Sequence, residues 1–247
     1  MVPVQLREDP RLYAGRIATL AAGLLALGIV LAGAVVGGFF YAAQAPRGTV
    51  QVTGAGTLPF ESDQVKWTLT LMRRVPSTDV LSGYSLLEGD MDRLRATLAP
   101  LGLTEDALVV QPVSMEPWYG ERGEIGSYMA RQTVSVISSD VDLVEGLARE
   151  PGGVLAQGTV LQGSQLEYTY SGLAELKRSL LAEATRDAEA RAREIAGEDL
   201  GELLNATAGV FQIREPNSNE VQGYGMYSTA TRQKEITVTV RASYQID

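Results

Sequence analysis

The chain has 247 residues, a net charge of −9 and neither cysteine nor histidine. The missing side chains exclude thiol nucleophiles, disulfides, zinc sites of nitrogen and sulfur ligands, and histidine as general base. A domain of this size can bury a sufficient core without disulfides, so an oxidising compartment is still permitted. The first 45 residues carry +1, which leaves −10 for the remainder. Because such a surface repels phosphate backbones, we expect no nucleic-acid partner.

An uncharged apolar segment covers residues 17–43. About 20 apolar residues cross a bilayer as a helix, so this segment is long enough to be a membrane span or the core of a signal peptide. The Ala-Gln-Ala sequence at 43–45 resembles a signal peptidase site. However, the apolar segment is about twice the usual length, and Pro46 would follow the cut and obstruct the peptidase. We therefore predict a retained anchor.

Basic residues beside the segment predict its orientation. Arg7, Arg11 and Arg16 precede it, whereas only Arg47 follows closely. Positive charges favour the cytoplasmic side, so the N-terminus is predicted to be cytoplasmic and the remainder extracytoplasmic. The predicted division is a cytoplasmic segment at 1–16, a transmembrane helix at 17–43, a linker at 44–48 and an extracytoplasmic domain at 49–247.

A glycine step within the span is a candidate contact between membrane helices. Gly33 and Gly37 have the small-xxx-small spacing that lets two helices approach closely. Glycine is common in membrane helices for other reasons, so a span without a specific contact is the alternative.

The segment after the linker is predicted to form two strands joined by a turn. The second strand places Val65, Trp67 and Leu69 on one apolar face, so we predict that Trp67 is buried. Gly54 and Gly56 are assigned to the turn region. A phosphate-binding loop is the alternative for them, but no third glycine, lysine or helix follows.

Helices and strands then alternate. A helix is predicted with Ser77 as N-cap, ending at Pro100 and Gly102, and strands are predicted near 109–117 and 131–138. A short helix capped by Ser139 and a strand region near 154–170 follow. The predicted inner positions of the first helix are Val80, Tyr84, Leu87, Met91, Leu94 and Leu98.

This order predicts an α+β fold. From Val65 onward it is strand, helix, strand, strand, helix, strand, the split βαβ pattern of ferredoxin-like sheets with both helices on one face. A long helix at 171–197 and two C-terminal strands, near 203–214 and 235–246, complete the domain. The long helix has a predicted inner stripe of Leu173, Leu176, Leu180, Ala184, Ala188, Ala192 and Ile195. Its alanines would let it approach a sheet closely.

Three stretches together resemble the SIMPL-domain family (domain of unknown function 541), which includes bacterial periplasmic immunogenic and stress-associated proteins. They read VQVTGAGTLPFESDQVKWTLTL, VSMEPWYGERGEIGSYMARQTVSV and LLAEATRDAEARAREIAGEDLGELL. The resemblance covers about residues 49–247. It implies an extracytoplasmic mixed sheet-and-helix domain and, in some members, homo-oligomeric rings or channel-like assemblies. It supplies no agreed catalytic residues, and the retained anchor predicted here departs from the many relatives that are secreted.

Candidate catalytic groups are few. A paired-carboxylate mechanism needs two acids in one cleft, whereas Glu116, Glu121 and Glu124 lie in a glycine-containing loop where acids are usually solvated. Lysine is sparse and no Ser-x-x-Lys motif occurs. We therefore expect no enzyme activity, no cofactor and no metal.

Two aromatic loops are candidate contact surfaces, because exposed aromatic rings suit protein interfaces. The first carries Trp118 and Tyr119, and the second carries Tyr224, Met226 and Tyr227. The alternative is that the rings fold back on their own hairpins. We predict a homo-oligomeric structural or interaction module of the cell envelope, with itself and the bilayer as partners. The alternative function is an envelope-stress protein that binds a ligand or acts as a chaperone.

Overall fold

A computed structural model describes residues 10–43, 48–155, 158–197, 200–218 and 223–246. Helix α1 spans Pro10–Ala43. Its segment Gly23–Phe40 has a mean hydropathy of 2.3 over 18 residues, and none of it is buried in the fold. By length and composition the helix can cross a membrane, either as an anchor or as a signal sequence. The predicted linker lies outside the described residues, apart from Gly48.

The described chain beyond α1 forms two sheets. Sheet A contains β1 (Gly48–Glu61), β7 (Leu200–Ala208), β8 (Gln212–Arg214), β9 (Met226–Tyr227) and β10 (Gln233–Ile246). Sheet B contains β2 (Gln64–Pro76), β3 (Leu108–Val110), β4 (Ser114–Tyr119), β5 (Ile125–Ser138) and β6 (Val160–Thr169). The helices of this part are α2 (Leu81–Leu98), α3 (Val141–Arg149) and α4 (Leu173–Ala196). The α+β class is therefore confirmed.

Sheet B contains the predicted strand, helix, strand, strand, helix, strand order. Its strand order is β3-β5-β2-β6, with β4 also paired to β5, and all of these pairs are antiparallel. Helices α2 and α3 pack on one face and share a core with Trp67, Leu69 and Val134. Trp67 is fully buried, as predicted, and its Nε1 donates a hydrogen bond to Ser164 Oγ at 2.9 Å. The predicted strand at 109–117 is divided between β3 and β4.

Sheet A is a second layer that the sequence analysis did not separate from the first. β1 pairs with β10 along its whole length, and β7 and β8 lie on the other side of β10. Helix α4 covers one face, where Ala184, Ala188 and Ala192 are fully buried. The predicted strand at 203–214 is divided between β7 and β8.

The placement of Gly54 and Gly56 in a turn is wrong. Both lie inside β1, which continues to Glu61. A Cβ added at Gly54 would lie 2.7 Å from Ala188 Cα and closer still to Ala184 O. A Cβ added at Gly56 would lie 2.9 Å from Leu180 O. These glycines are therefore required by the close approach of α4, as the small residues of that helix had indicated from the other side.

Both predicted N-caps are wrong by a short distance. Helix α2 begins at Leu81, and Asp79 rather than Ser77 accepts from a first-turn amide, that of Ser82 at 3.3 Å. Helix α3 is capped by Asp140, whose carboxylate accepts from the Leu143 amide at 3.0 Å. Asp140 directly follows Ser139 and Asp79 lies two residues after Ser77, and Asp and Ser are comparable cap formers, so composition alone did not separate them. Helix α2 itself ends at Leu98, and a 3-10 helix at Ala99–Leu101 follows it and ends at Gly102, whose φ is left-handed at 82°.

Two predicted inner residues are exposed. Tyr84 faces solvent because the buried face of α2 passes through Gly83, where a Cβ would lie 3.1 Å from Ala130 Cβ. Ile195, near the end of α4, is 66% exposed. Helical spacing gives the period of a buried stripe, but contact with a neighbouring strand decides where the stripe begins and ends.

Candidate functional site

The first aromatic loop forms a β-hairpin of sheet B, here called the hairpin arm and comprising residues 114–131. Its strands are β4 and the beginning of β5, and Trp118 pairs with Ser127. A tight turn joins them, because the Gly120 amide donates to Glu124 O at 2.8 Å and Gly123 has a φ of 80°. A left-handed φ favours glycine, so the local sequence determines this turn.

Large apolar side chains of the hairpin arm are exposed. Trp118 is 56% exposed and Tyr119 is 59% exposed, and Ile125, which pairs with Tyr119, is also exposed. Among the described strands, β4 pairs only with β5, so the arm has one edge open. Exposed apolar side chains grouped on one element are typical of a contact surface.

Polar contacts hold the aromatic end of the arm in place. The Arg74 guanidinium carbon lies 5.8 Å from the centre of the Trp118 ring, within the range of a cation–π contact. Arg74 Nε also donates to Ser127 Oγ at 2.9 Å. Arg131 and Glu116 form an ion pair across the two strands. Because the indole is already oriented, it would lose little conformational entropy on binding a partner.

The second aromatic loop is divided between an exposed residue and residues held by the fold. Tyr224 is fully exposed, beside Gly225 with its φ of 85°. Met226 and Tyr227 form β9, which pairs with β8. The Tyr227 hydroxyl accepts a hydrogen bond from the Tyr170 amide at 3.2 Å. Of the three residues, Tyr224 is thus the one that stands free of its own fold.

The predicted contact residues do not form one cluster. Trp118 and Tyr119 belong to sheet B, whereas Met226 and Tyr227 belong to sheet A. Gly33 and Gly37 lie on α1, and within the described part of the chain a Cβ at either would meet no atom within 4 Å. The surfaces near these two glycines are therefore free to contact another helix.

A polar junction between the two sheets was not predicted. Arg232, just before β10, bonds to Glu61 at the end of β1 and to Asp142 on α3, each at 2.5 Å. Hydrogen bonding to Asp142 is the largest cause that raises the pKa of Arg232. The three residues are far apart in the chain, so no spacing in the sequence indicated their contact. They border an open cavity of about 470 Å³ that is lined mainly by polar and charged side chains.

Two buried polar groups lie near this junction. Lys234 is fully buried, and its Nζ donates to Ser228 O at 2.7 Å and Thr231 O at 2.5 Å. Burial lowers the pKa of Lys234. Burial and the hydrogen bond to Glu145 raise the pKa of Tyr168 to about 12. Lys234 therefore holds the segment that leads into β10, and Tyr168 holds β6 to α3, each on the side of its own sheet.

Within the described part of the chain, no group of three or more acidic side chains is arranged to hold a metal ion. Glu116, one of the three acids considered as catalytic candidates, is engaged by Arg131.

Residues 50–246 match the model of a protein family described as SIMPL, protein of unknown function (DUF541). No curated protein matches the chain. The resemblance inferred from the three sequence stretches is thus confirmed over nearly the whole domain.

Proposed function

Because this chain belongs to the SIMPL family, a family without an assigned function, we propose its role from the surfaces that it exposes. It is a membrane-anchored module of the cell envelope that assembles with copies of itself. Helix α1 is retained, the N-terminus is cytoplasmic, and the domain lies outside the membrane. Retention is supported by Pro46 and by an apolar segment that is about twice as long as that of a usual signal peptide. The orientation is supported by the arginines before the span.

The observation that carries this proposal is the hairpin arm with its exposed Trp118, Tyr119 and Ile125. Buried at an interface, these side chains would supply apolar contact area with little loss of rotamer freedom. Tyr224 offers a second anchor on the other sheet. Since the two surfaces are different, an arm that binds another part of the next copy would make a head-to-tail contact, which closes into a ring when the rotation permits.

The net charge of the domain opposes this assembly, so the response to salt is a test of the proposal. Each domain has a net charge of about −10, so two copies repel each other at low salt. Apolar contact must outweigh this repulsion, and about 25 cal/mol per Å² of buried apolar surface is enough to do so for an interface of ordinary size. Salt screens the repulsion without weakening the apolar term, so the assembly is expected to be as strong or stronger in moderate salt.

Two other roles are less well supported. The cavity beside Arg232 is polar and open, which does not suit the capture of an apolar polypeptide segment. An enzyme is less well supported because the chain has neither histidine nor cysteine. In the described part of the chain, no two unengaged carboxylates face each other in a cleft, as a paired-carboxylate mechanism requires. The assembly proposal is therefore preferred to the chaperone-like alternative and to an enzyme.

The test uses the full chain, extracted in detergent, with its particle mass measured by native mass spectrometry. The double variant Trp118→Ser, Tyr119→Ser is expected to shift the population to smaller particles without unfolding the domain. Leu81→Ser is the matched control, because Leu81 is also a large exposed apolar residue but lies at the start of α2. A variant that keeps the mass distribution of the original chain would contradict an interface at the hairpin arm.

A further inference from the structure

One end of sheet A gathers the termini of four elements. Gly48, which begins β1, pairs with Ile246 near the end of β10, and Ile246 pairs with Leu200, which begins β7. The end of α4 packs there too, since Ala192 and Ala196 belong to the cluster that contains Ile246. We call this the basal end of sheet A.

Large apolar side chains near the basal end are uncovered. Leu203 is 49% exposed, Leu204 is 54% exposed, and Ile195 is exposed at the end of α4. Leu203 pairs with Tyr244, which is buried against Ala188 and Ala192, so Leu203 lies on the helix face of the sheet. Helix α4 packs mainly on β1 and β10 and leaves the adjoining face of β7 open.

The basal end is also the part of the domain that is tied most closely to α1. Helix α1 ends at Ala43 and β1 begins at Gly48. At no more than about 3.5 Å per residue, this connection spans at most about 17 Å. Whatever the path of the connection, Gly48 cannot lie farther than this from the end of α1.

We propose that Ile195, Leu203 and Leu204 contact the lipid surface of the membrane that α1 crosses, and so seat the domain on its basal end. The inference rests on the retention of α1 as an anchor, which is part of the proposed function, but not on self-assembly. The seat holds the domain in one orientation relative to the bilayer and directs the hairpin arm, on the other sheet, toward neighbouring copies.

Lipid suits this patch better than a second copy of the chain does. Alone, three partly exposed side chains provide only part of the roughly 800 Å² that a stable protein interface buries per partner, and the proposed self-contact uses Tyr224 in addition to the hairpin arm. A contact held by a short tether needs much less, because the effective local concentration reaches the millimolar range. Amphipathic surfaces of this kind bury their apolar side chains at the boundary between headgroups and acyl chains.

The neighbouring charges define the type of lipid contact. Between 193 and 204 the sequence has Arg193 against Glu194, Glu198, Asp199 and Glu202. Anionic headgroups therefore do not attract this segment, and the contact is apolar. It is expected in zwitterionic phosphatidylcholine and is not expected to strengthen with anionic lipid or to weaken with salt.

The absence of cysteine allows a direct test. Leu204→Cys is labelled with an environment-sensitive fluorophore in the full chain, reconstituted at one copy per phosphatidylcholine nanodisc. The fluorophore at position 204 is expected to show blue-shifted emission. Lipids that carry a nitroxide near the headgroup are expected to quench this emission at least twofold more than they quench the emission of the same fluorophore on Leu81→Cys. Leu81 is the matched control, an exposed leucine on the other layer. Adding Ile195→Ser and Leu203→Ser is expected to reduce the quenching at position 204 towards the control value.

Two results would overturn the proposal. Water-like emission at position 204, without lipid quenching, would show that the patch faces solvent. A blue shift that appears only with two or more copies per disc, and that lipid nitroxides do not quench, would assign the patch to a second copy. The intact mass of the protein in the same discs shows whether the anchor is present. A chain without residues 10–43 would overturn both the lipid contact and the retained anchor, whereas either result above with the anchor present would overturn the lipid contact alone.

Discussion

The Asp187 carboxylate on α4 accepts a hydrogen bond from the Ala55 backbone amide on β1 at 2.8 Å. Among the described strands β1 pairs only with β10, so its other edge is open, and the Ala55 amide donates to Asp187 instead of to a neighbouring strand. The same carboxylate accepts from Arg191 Nε at 2.9 Å. Asp187 therefore joins the helix to the strand beneath it and covers a backbone donor that an open edge would leave free.

This contact predicts a dependence of stability on acid pH. The Ala55 amide is the largest cause that lowers the pKa of Asp187, and Arg191 lowers it further. Stability from a lowered carboxyl pKa is present above the unfolded value and is lost as pH falls through the folded value. Asp187→Asn is therefore expected to lower the free energy of unfolding at neutral pH. The variant's free energy of unfolding is also expected to fall less steeply with decreasing pH below about pH 4 than that of the original chain. Urea unfolding at several pH values measures both effects.

The matched control for Asp187 is Glu189→Gln. Glu189 forms the same type of pair along α4, with Arg193 at 2.7 Å, and its hydrogen bond goes to that arginine and not to β1. The control is expected to change neutral stability by less than about 0.5 kcal/mol. Equal effects of the two substitutions would show that the bond to Ala55 contributes nothing.

Gly54→Ala is expected to be strongly destabilising. The added methyl would lie 2.7 Å from Ala188 Cα, so α4 must move away from β1. Overpacking in a close-packed core costs typically about 1–3 kcal/mol, and the backbone contact here favours the upper end. Urea unfolding followed by circular dichroism measures the loss.

Gly89→Ala controls for the change from glycine to alanine. A Cβ at Gly89, in the exposed part of α2, would meet no atom within 4 Å. Since alanine favours a helix over glycine by roughly 1 kcal/mol, this variant is expected to be more stable than the original chain. Stabilisation by both substitutions would contradict the close approach of α4 to β1.

The ion pair between Arg73 and Asp90 predicts a large effect of removing one partner. Asp90 is nearly fully buried, and its two oxygens accept from Arg73 Nε at 2.8 Å and Nη2 at 2.5 Å. Asp90→Ala leaves a poorly solvated guanidinium and is expected to cost about 3–5 kcal/mol in thermal or urea unfolding.

Glu175→Ala is the exposed counterpart of this substitution. Glu175 pairs with Arg178 at the surface of α4, where both side chains are largely solvated. Removing an exposed pair costs at most about 1 kcal/mol. A similar loss for Asp90→Ala and Glu175→Ala would show that burial does not strengthen the first pair.

Tyr168 predicts a loss of stability at high pH. Burial and its hydrogen bond to Glu145 raise the pKa of its hydroxyl to about 12. A raised folded pKa contributes stability below the unfolded value of about 10, and this is lost as pH rises through the folded value. Tyr168→Phe is expected to reduce the decline of unfolding free energy between about pH 10 and pH 12.

Tyr119→Phe, in the exposed hairpin arm, controls for the removal of a tyrosine hydroxyl. It is expected to leave the alkaline decline unchanged when unfolding is followed over the same pH range. An alkaline profile of Tyr168→Phe that overlies that of Tyr119→Phe would contradict the assigned role of Tyr168.

The sequence predicted those features that depend on local pattern. Strict alternation placed Trp67 and Leu69 on the buried face of β2, and helical spacing placed Ala184 and Ala188 on the buried face of α4. Both patterns repeat with the period of the element that carries them, so each can be detected without knowledge of the partner surface.

Features that depend on a distant segment were not predictable. A glycine in a strand looks the same in the sequence as a glycine in a turn. The feature that requires glycine at position 54 is the contact with a helix that lies more than a hundred residues later in the chain. The ion pairs of Arg232 likewise join residues from three separate segments. For the candidate site, the sequence identified the aromatic residues but not how far each is held by its own fold: the Tyr227 hydroxyl bonds to the Tyr170 amide and its side chain is 38% exposed, whereas Trp118 is 56% exposed.

The central claim, self-assembly of the domain through its own surface, is tested most directly by sedimentation of the domain from Thr49 onward without α1. We predict an oligomer at micromolar concentration in both low and moderate salt, with the larger species at least as abundant in moderate salt, since screening weakens repulsion between acidic domains. A folded monomer under both conditions would contradict the account and leave the membrane helix, or no part of the chain, as the source of assembly.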